Sequence, residues 1–187
     1  MLNKGRRTLL LIAAICVLPI VASYVLYMGW RPEGRMNHGE LLETRLLPVT
    51  VLSDLAGKSL STESLRGKWL LVTIQPPSCD ERCQRKLYFM RQVRTTQGEN
   101  MERIERLWLI NGPGTPDAKL LAEHAGLRVA RVQDPAWLSA FPVKSEAAEH
   151  IYLIDPLGNL VLRYGDDLDP KGMIKDLTRL LKVSRIG

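Results

Sequence analysis

Residues 69–83 read WLLVTIQPPSCDERC, and the fold is read from them. Residues 69–74 are an apolar run with no polar alternation apart from Thr73. Such a strand is buried on both faces and belongs in the middle of a sheet covered on both sides. Pro76 and Pro77 end it, because neither can donate a ladder hydrogen bond. Ser78, followed three residues later by Glu81, has capping-box spacing and predicts a helix over 79–96. Cys79 and Cys83 therefore fall at a strand-to-helix junction.

Downstream, residues 107–110 form a second buried strand, ended by Asn111-Gly112-Pro113-Gly114. A helix is predicted over 117–124, stopped by Gly126, and a weaker strand over 127–132. Residues 151–154 and 160–164 flank Asp155-Pro156-Leu157-Gly158-Asn159 and predict a β-hairpin. Asp169-Pro170 opens a last helix running to about 182. Upstream lie a short strand over 49–52 and a segment over 60–65 that ends at Arg66-Gly67-Lys68. A strand–helix–strand unit implies a parallel right-handed crossover. With a hairpin and a closing helix added, the order is that of a thioredoxin-like α/β domain. Its site is expected beyond the carboxyl end of the central strand, at the first helix's N-terminus.

The other deciding stretch is amino-terminal. Residues 8–29, TLLLIAAICVLPIVASYVLYMG, carry no charge and follow Lys4, Arg6 and Arg7. At ~1.5 Å per residue they match a hydrocarbon core of ~30 Å. Pro19 sits mid-span, where a membrane helix tolerates a kink, and Tyr24, Tyr27 and Trp30 cluster at the far end. The basic start predicts a cytoplasmic N-terminus and an exported body. A cleaved leader ending near Val21-Ala22-Ser23 is the alternative, but the apolar run continues past that point. The expected layout is a cytoplasmic tip and single transmembrane helix over 1–30, a connector over 31–48 and the thioredoxin-like domain over 49–187. In a bacterium this places the chain in the inner membrane, single-pass, with its C-terminal domain in the periplasm.

Composition narrows the function. The 187 residues are 45% hydrophobic, which suffices for a packed core, and the formal net charge of +6 is too mild to indicate a nucleic-acid partner. Three cysteines exclude a disulfide-rich scaffold. No phosphate loop, dinucleotide fingerprint, serine-nucleophile elbow or zinc-protease helix occurs.

The chemistry thus falls to C-x-x-x-C. Placed on a helix, Cys79 and Cys83 share a face, with Leu87 and Met90 continuing the stripe. Cys79 would occupy the first helical turn, where the dipole favours a thiolate. Arg82 and Arg85 add to this, while Asp80 and Glu81 oppose it. Residues so spaced can form a disulfide, hold one Cu(I) ion, or remain two half-buried structural thiols. Their junction position in an exported chain favours function. His38 and His124 are expected to be solvated or capping residues, with His124 suited to a helix C-terminus. Cys16 lies within the apolar helix and is expected to face lipid or pack there.

At Leu65-Arg66-Gly67-Lys68-Trp69-Leu70-Leu71-Val72, Cys79-x-x-x-Cys83 and Tyr152-Leu153-Ile154-Asp155-Pro156-Leu157-Gly158, the chain resembles the Sco/SenC proteins over about residues 49–182. These are membrane-anchored thioredoxin-fold proteins that help assemble the copper centre of cytochrome c oxidase. Gly29-Trp30-Arg31-Pro32 and Asn37-His38-Gly39-Glu40-Leu41 resemble a smaller Sco-like group associated with proteobacterial oxidase assembly. The resemblance implies Cu(I) as ligand, and a cytochrome c oxidase subunit or another assembly factor as partner. Two positions depart from the pattern. Asp80 stands where the family has proline, and Ala147 where it has its copper-binding histidine. His150, two residues before Tyr152, is the substitute metal ligand to test beside Cys79 and Cys83; the alternative is a strand-edge histidine. Positions 147 and 150 differ by three, so in a regular strand they face opposite ways.

The expected function is a membrane-anchored exported thiol protein that assists oxidase assembly, by Cu(I) handling or by reducing copper-site thiols. A general membrane-tethered thiol–disulfide oxidoreductase is the alternative. Against it, the spacing is one residue longer than C-x-x-C, and residues 146–150 contain no proline, the nearest being Pro142. A scaffold that binds an oxidase subunit without thiol chemistry is the third reading.

Overall fold

The computed structural model describes residues 4–29, 37–142, 150–165, 167–184 and 186. The expectations placed on Trp30, on residues 31–36 and on Ala147 lie outside them. Two compact units are present, residues 1–36 and residues 37–187.

The first unit is helix α1, Lys4–Gly29, which runs unbroken through Pro19. None of its residues is buried, and it is long and apolar enough to cross a membrane. It starts one turn earlier than the uncharged stretch, so Lys4, Arg6 and Arg7 belong to the helix.

The second unit is built on an eight-stranded mixed sheet. Its strands are β1 (Glu40–Leu46), β2 (Val51–Asp54), β3 (Ser59–Ser61), β4 (Trp69–Gln75), β5 (Ile104–Ile110), β6 (Leu127–Val132), β7 (Ile151–Ile154) and β8 (Asn159–Tyr164). In space the order is β1-β8-β7-β4-β5-β6-β2-β3. As expected, β4 is buried along its whole length. It pairs in parallel with β5, which pairs in parallel with β6, while β7 lies antiparallel on the other side of β4. The β7–β8 hairpin is held by Asp155, whose Oδ1 accepts from Leu157 and Asn159 N–H at 2.9 and 2.8 Å. Gly158 in this turn has φ +94°, a conformation suited to glycine.

Residue parity on β4 divides the core. Trp69 and Leu71 pack with Cys83, Leu87, Met90 and Val93 of helix α2 (Glu81–Thr95). Met173, Leu177 and Leu181 of helix α5 (Pro170–Val183) complete that layer. Leu70, Val72 and Ile74 point the other way, toward Tyr152 and toward Trp137 and Phe141, which lie in and beside the short helix α4 (Pro135–Leu138). The remaining helix, α3 (Ala118–Glu123), is capped by Asp117.

The amino-terminal end of this unit differs from expectation. Residues 40–46, assigned to the connector, form edge strand β1 against β8. The reason is tertiary. Asp176 of α5 is buried, and its carboxylate accepts the N–H groups of His38 and Gly39 at 2.9 Å each. Tyr164 O–H donates to the same carboxylate at 3.3 Å. The His38 ring lies over Gly172, where an added Cβ would fall 2.5 Å from it.

Candidate functional site

Cys79 and Cys83 form a disulfide with Cα atoms 5.1 Å apart. It sits where expected, beyond the carboxyl end of β4. Its local geometry differs from a fully helical pair. Helix α2 begins at Glu81, and Asp80 is its N-cap: the carboxylate accepts the Cys83 N–H at 2.9 Å. Cys79 therefore precedes the helix and is not in its first turn. Its φ of +32° makes it the one non-glycine residue in the left-handed region among the described residues. That backbone cannot continue into an α-helix, so the cap moves from Ser78 to Asp80.

Two further bonds hold the Cys79 backbone. Its N–H donates to the Pro76 carbonyl at 3.2 Å. Its carbonyl accepts from Gln84 Nε2 at 3.1 Å. Sequence reasoning did not single out Gln84, because an exposed glutamine in the first turn of a helix carries no distinctive signal. Nor was Asp80 read as the cap, because the capping-box spacing of Ser78 and Glu81 pointed to Ser78. Both sulfurs are withdrawn from solvent, with Cys79 2% and Cys83 0% exposed. Of the two, Cys79 lies in the loop before α2 and Cys83 within the helix. The floor is fixed: the Gln75 carbonyl accepts from Trp108 Nε1 at 3.1 Å and from Asn111 N–H at 3.2 Å.

His150 is not brought to the cysteines. Its ring lies 5.8 Å from that of Tyr152, on the face that carries Leu70 and Val72, whereas both cysteines pack on the face of Leu71 and Leu153. Alternation along the strand imposes this, since 150 and 152 share a face. Among the described residues no group of three or more His, Cys, Asp or Glu side chains is placed to hold a metal ion. The soft donors at the site are the two cysteine sulfurs. His124 caps the C-terminus of α3, its N–H donating to the Leu121 carbonyl, as one of its two expected roles. It is buried and not solvated, and burial, with Arg91 and Arg106 nearby, lowers its pKa.

Residues 69–184 match the family described as "Transmembrane-like, thioredoxin-like, C-terminal domain". The chain belongs to this family. Residues 3–29 match its companion, the transmembrane-like N-terminal domain. No curated protein matches the chain. Among solved structures, copper-bound yeast Sco1 is similar at 17% identity over 76% of this chain and 96% of that one, with a TM-score of 0.65. BsSco, named as a member of the Sco family of cytochrome c oxidase assembly proteins and as carrying a disulfide switch, is 14% identical. It covers 81% of this chain and 100% of its own, with a TM-score of 0.57. The thioredoxin domain of a thiol-disulfide oxidoreductase from Bacteroides vulgatus is 18% identical over 75% and 99%, also at 0.57. At these identities the likeness is one of fold, so the Sco resemblance read from the sequence holds for the thioredoxin-like architecture.

Proposed function

We propose that this member of the transmembrane-like, thioredoxin-like family is an exported thiol–disulfide protein of the bacterial inner membrane that assists cytochrome c oxidase assembly. Helix α1 anchors it, with Lys4, Arg6 and Arg7 on the cytoplasmic side and the 37–187 unit in the periplasm. The observation that carries the reading is the Cys79–Cys83 pair at the head of α2. In the reduced protein the Cys79 thiolate attacks a disulfide at the partner's copper site and releases one partner thiolate. Cys83 then attacks the Cys79 sulfur, the second partner thiol leaves, and the Cys79–Cys83 disulfide forms. Two electrons pass to the partner, and an exported dithiol reductant restores the pair. The Sco-like motifs and the Sco neighbours support oxidase as the destination.

Cu(I) transfer is the second reading. It is favoured by the copper-bound state of the yeast neighbour and by two adjacent soft donors, with copper as cargo. The face occupied by His150 leaves those two sulfurs as its ligands.

The test is complementation. A strain lacking the chain is supplied with wild-type, Cys79→Ser/Cys83→Ser or His150→Ala protein, and assembled oxidase is quantified from its haem spectrum. Wild type and His150→Ala should restore it, and the cysteine variant should not. Full restoration by the cysteine variant would overturn both thiol readings in favour of a scaffold. An anaerobic Cu(I) titration of the reduced full chain in detergent separates the two readings, since a one-to-one complex that needs both cysteines assigns transfer.

A further inference from the structure

Helix α2 carries the disulfide at its head and a cationic flank along its exposed side. Gln84, whose amide holds the Cys79 carbonyl, also lines a cavity between α2 and α3. Arg85, Tyr88, Arg91 and His124 line it too, with Glu123 as its one acidic residue. The Arg91 guanidinium lies 5.5 Å from the Tyr88 ring centre and donates to the Glu123 carbonyl, so it is held in place at the wall. Arg85 reaches from this cavity to a second one, lined by Arg82, Lys86 and Leu168.

The floor points to a ligand. His124 is only 5% exposed, and its Nδ1 has no hydrogen-bond partner among the described residues. Arg106, 2% exposed, gives one N–H to the Ala125 carbonyl, while its Nε and Nη1 are likewise unpartnered. Buried polar groups are ordinarily satisfied, and an unmet donor costs about 1–3 kcal/mol. Burial lowers the pKa of Arg106, and Arg94 and Arg91 lower it further, which marks an excess of positive potential behind the cavity. Glu123 and Glu105 are the carboxylates that oppose it.

We propose that this cavity is the docking site for an acidic side chain on the thiol-bearing peptide segment that exchanges with Cys79–Cys83. The inference rests on the thiol reading and adds the substrate's character: a cysteine segment with a nearby Asp or Glu. Gln84 joins the two sites, since it borders the carboxylate cavity and holds the backbone of the reactive residue. Charge complementarity selects the occupant. A basic or neutral segment meets Arg85 and Arg91, and an acidic one neutralises them.

The test uses the full chain in detergent and two assays. In the first, the disulfide form is titrated with fluorescent peptides in which the cysteine is replaced by Ser, flanked by Glu, Gln or Lys. The Glu peptide should bind about five-fold more tightly than the Gln peptide, and the advantage should vanish at high salt. Arg85→Glu, at an exposed position, should abolish that preference and favour the Lys peptide. In the second, the same peptides carrying cysteine are followed in thiol–disulfide exchange, with the same ranking of rates. Equal binding of Glu and Gln peptides, or a preference that survives Arg85→Glu, overturns the docking site. Selective binding without exchange leaves the site standing and removes the thiol reading beneath it.

Discussion

At the scale of single residues, Asp80 sets the character of the site. A proline there would offer no side-chain acceptor to the first N–H groups of α2. Asp80 instead takes the Cys83 N–H on its own carboxylate, which places a negative charge beside the Cys79 thiol. A like charge opposes thiolate formation, and the cap also consumes part of the helix-end field. The oxidised Cys79 backbone, at φ +32°, costs about 1 kcal/mol against an ordinary conformation. Asp80→Asn keeps the cap and removes the charge. Reduced Asp80→Asn protein should be alkylated by iodoacetamide about three-fold faster than wild type near neutral pH. Mass spectrometry at Cys79 reads this directly, and an unchanged or slower rate would refute the role given to the carboxylate.

At the scale of elements, β1 depends on a helix far from it in sequence. Its chain enters the sheet only after His38 and Gly39 have given their N–H groups to Asp176 of α5. Gly39 lies so close to the Tyr164 ring that an added Cβ would come within 2.7 Å of it. Helix α5 thus serves two purposes. Its apolar face closes the core over β4 and β5, and Asp176 fastens residues 38–39 at the entry to β1. Asp176→Ala removes one acceptor from three donors and should cost about 3 kcal/mol. Hydrogen exchange should then show early loss of protection at 38–46, ahead of β4 and β5. Simultaneous loss throughout the sheet would mean that the fastening has no separate existence.

At the scale of the whole molecule, stability should follow pH through His124. Its pKa lies below 6.5 because burial, with Arg91 and Arg106 close by, disfavours the charged form. The unfolded chain therefore binds a proton near pH 6.5 that the native state refuses. The His124 contribution is complete above that pH and is lost as pH falls below it. Glu105 behaves otherwise. Burial pushes its pKa up, but Lys68 and Arg128 together outweigh this and hold it lower, so its contribution persists until pH falls below the carboxylate range. The interval from pH 7 to 5 thus separates His124 from Glu105. Urea midpoints of the full chain in detergent should fall across that interval, and His124→Gln should flatten the slope. An unaltered slope in the variant would remove His124 as its source.

Much of this architecture was legible in the chain. The apolar run at β4, its proline stop, the Asp155 turn and the 22-residue uncharged stretch are local signals, each set by burial period, lost N–H donors or bilayer thickness. They placed the long apolar helix, the central strand, the hairpin and the cysteine pair at its junction. The connector's conversion into β1 was not legible, because the buried acceptor that captures it lies 137 residues away. Nor was the true start of α2, which turns on one left-handed residue between two possible caps. Strand alternation suggested the face of His150, but whether its ring met the cysteines depended on where β7 paired with β4. Local chemistry is written in neighbouring residues. The groups that share a buried carboxylate, a cavity or a sheet face are chosen by long-range pairing, which only the folded chain displays.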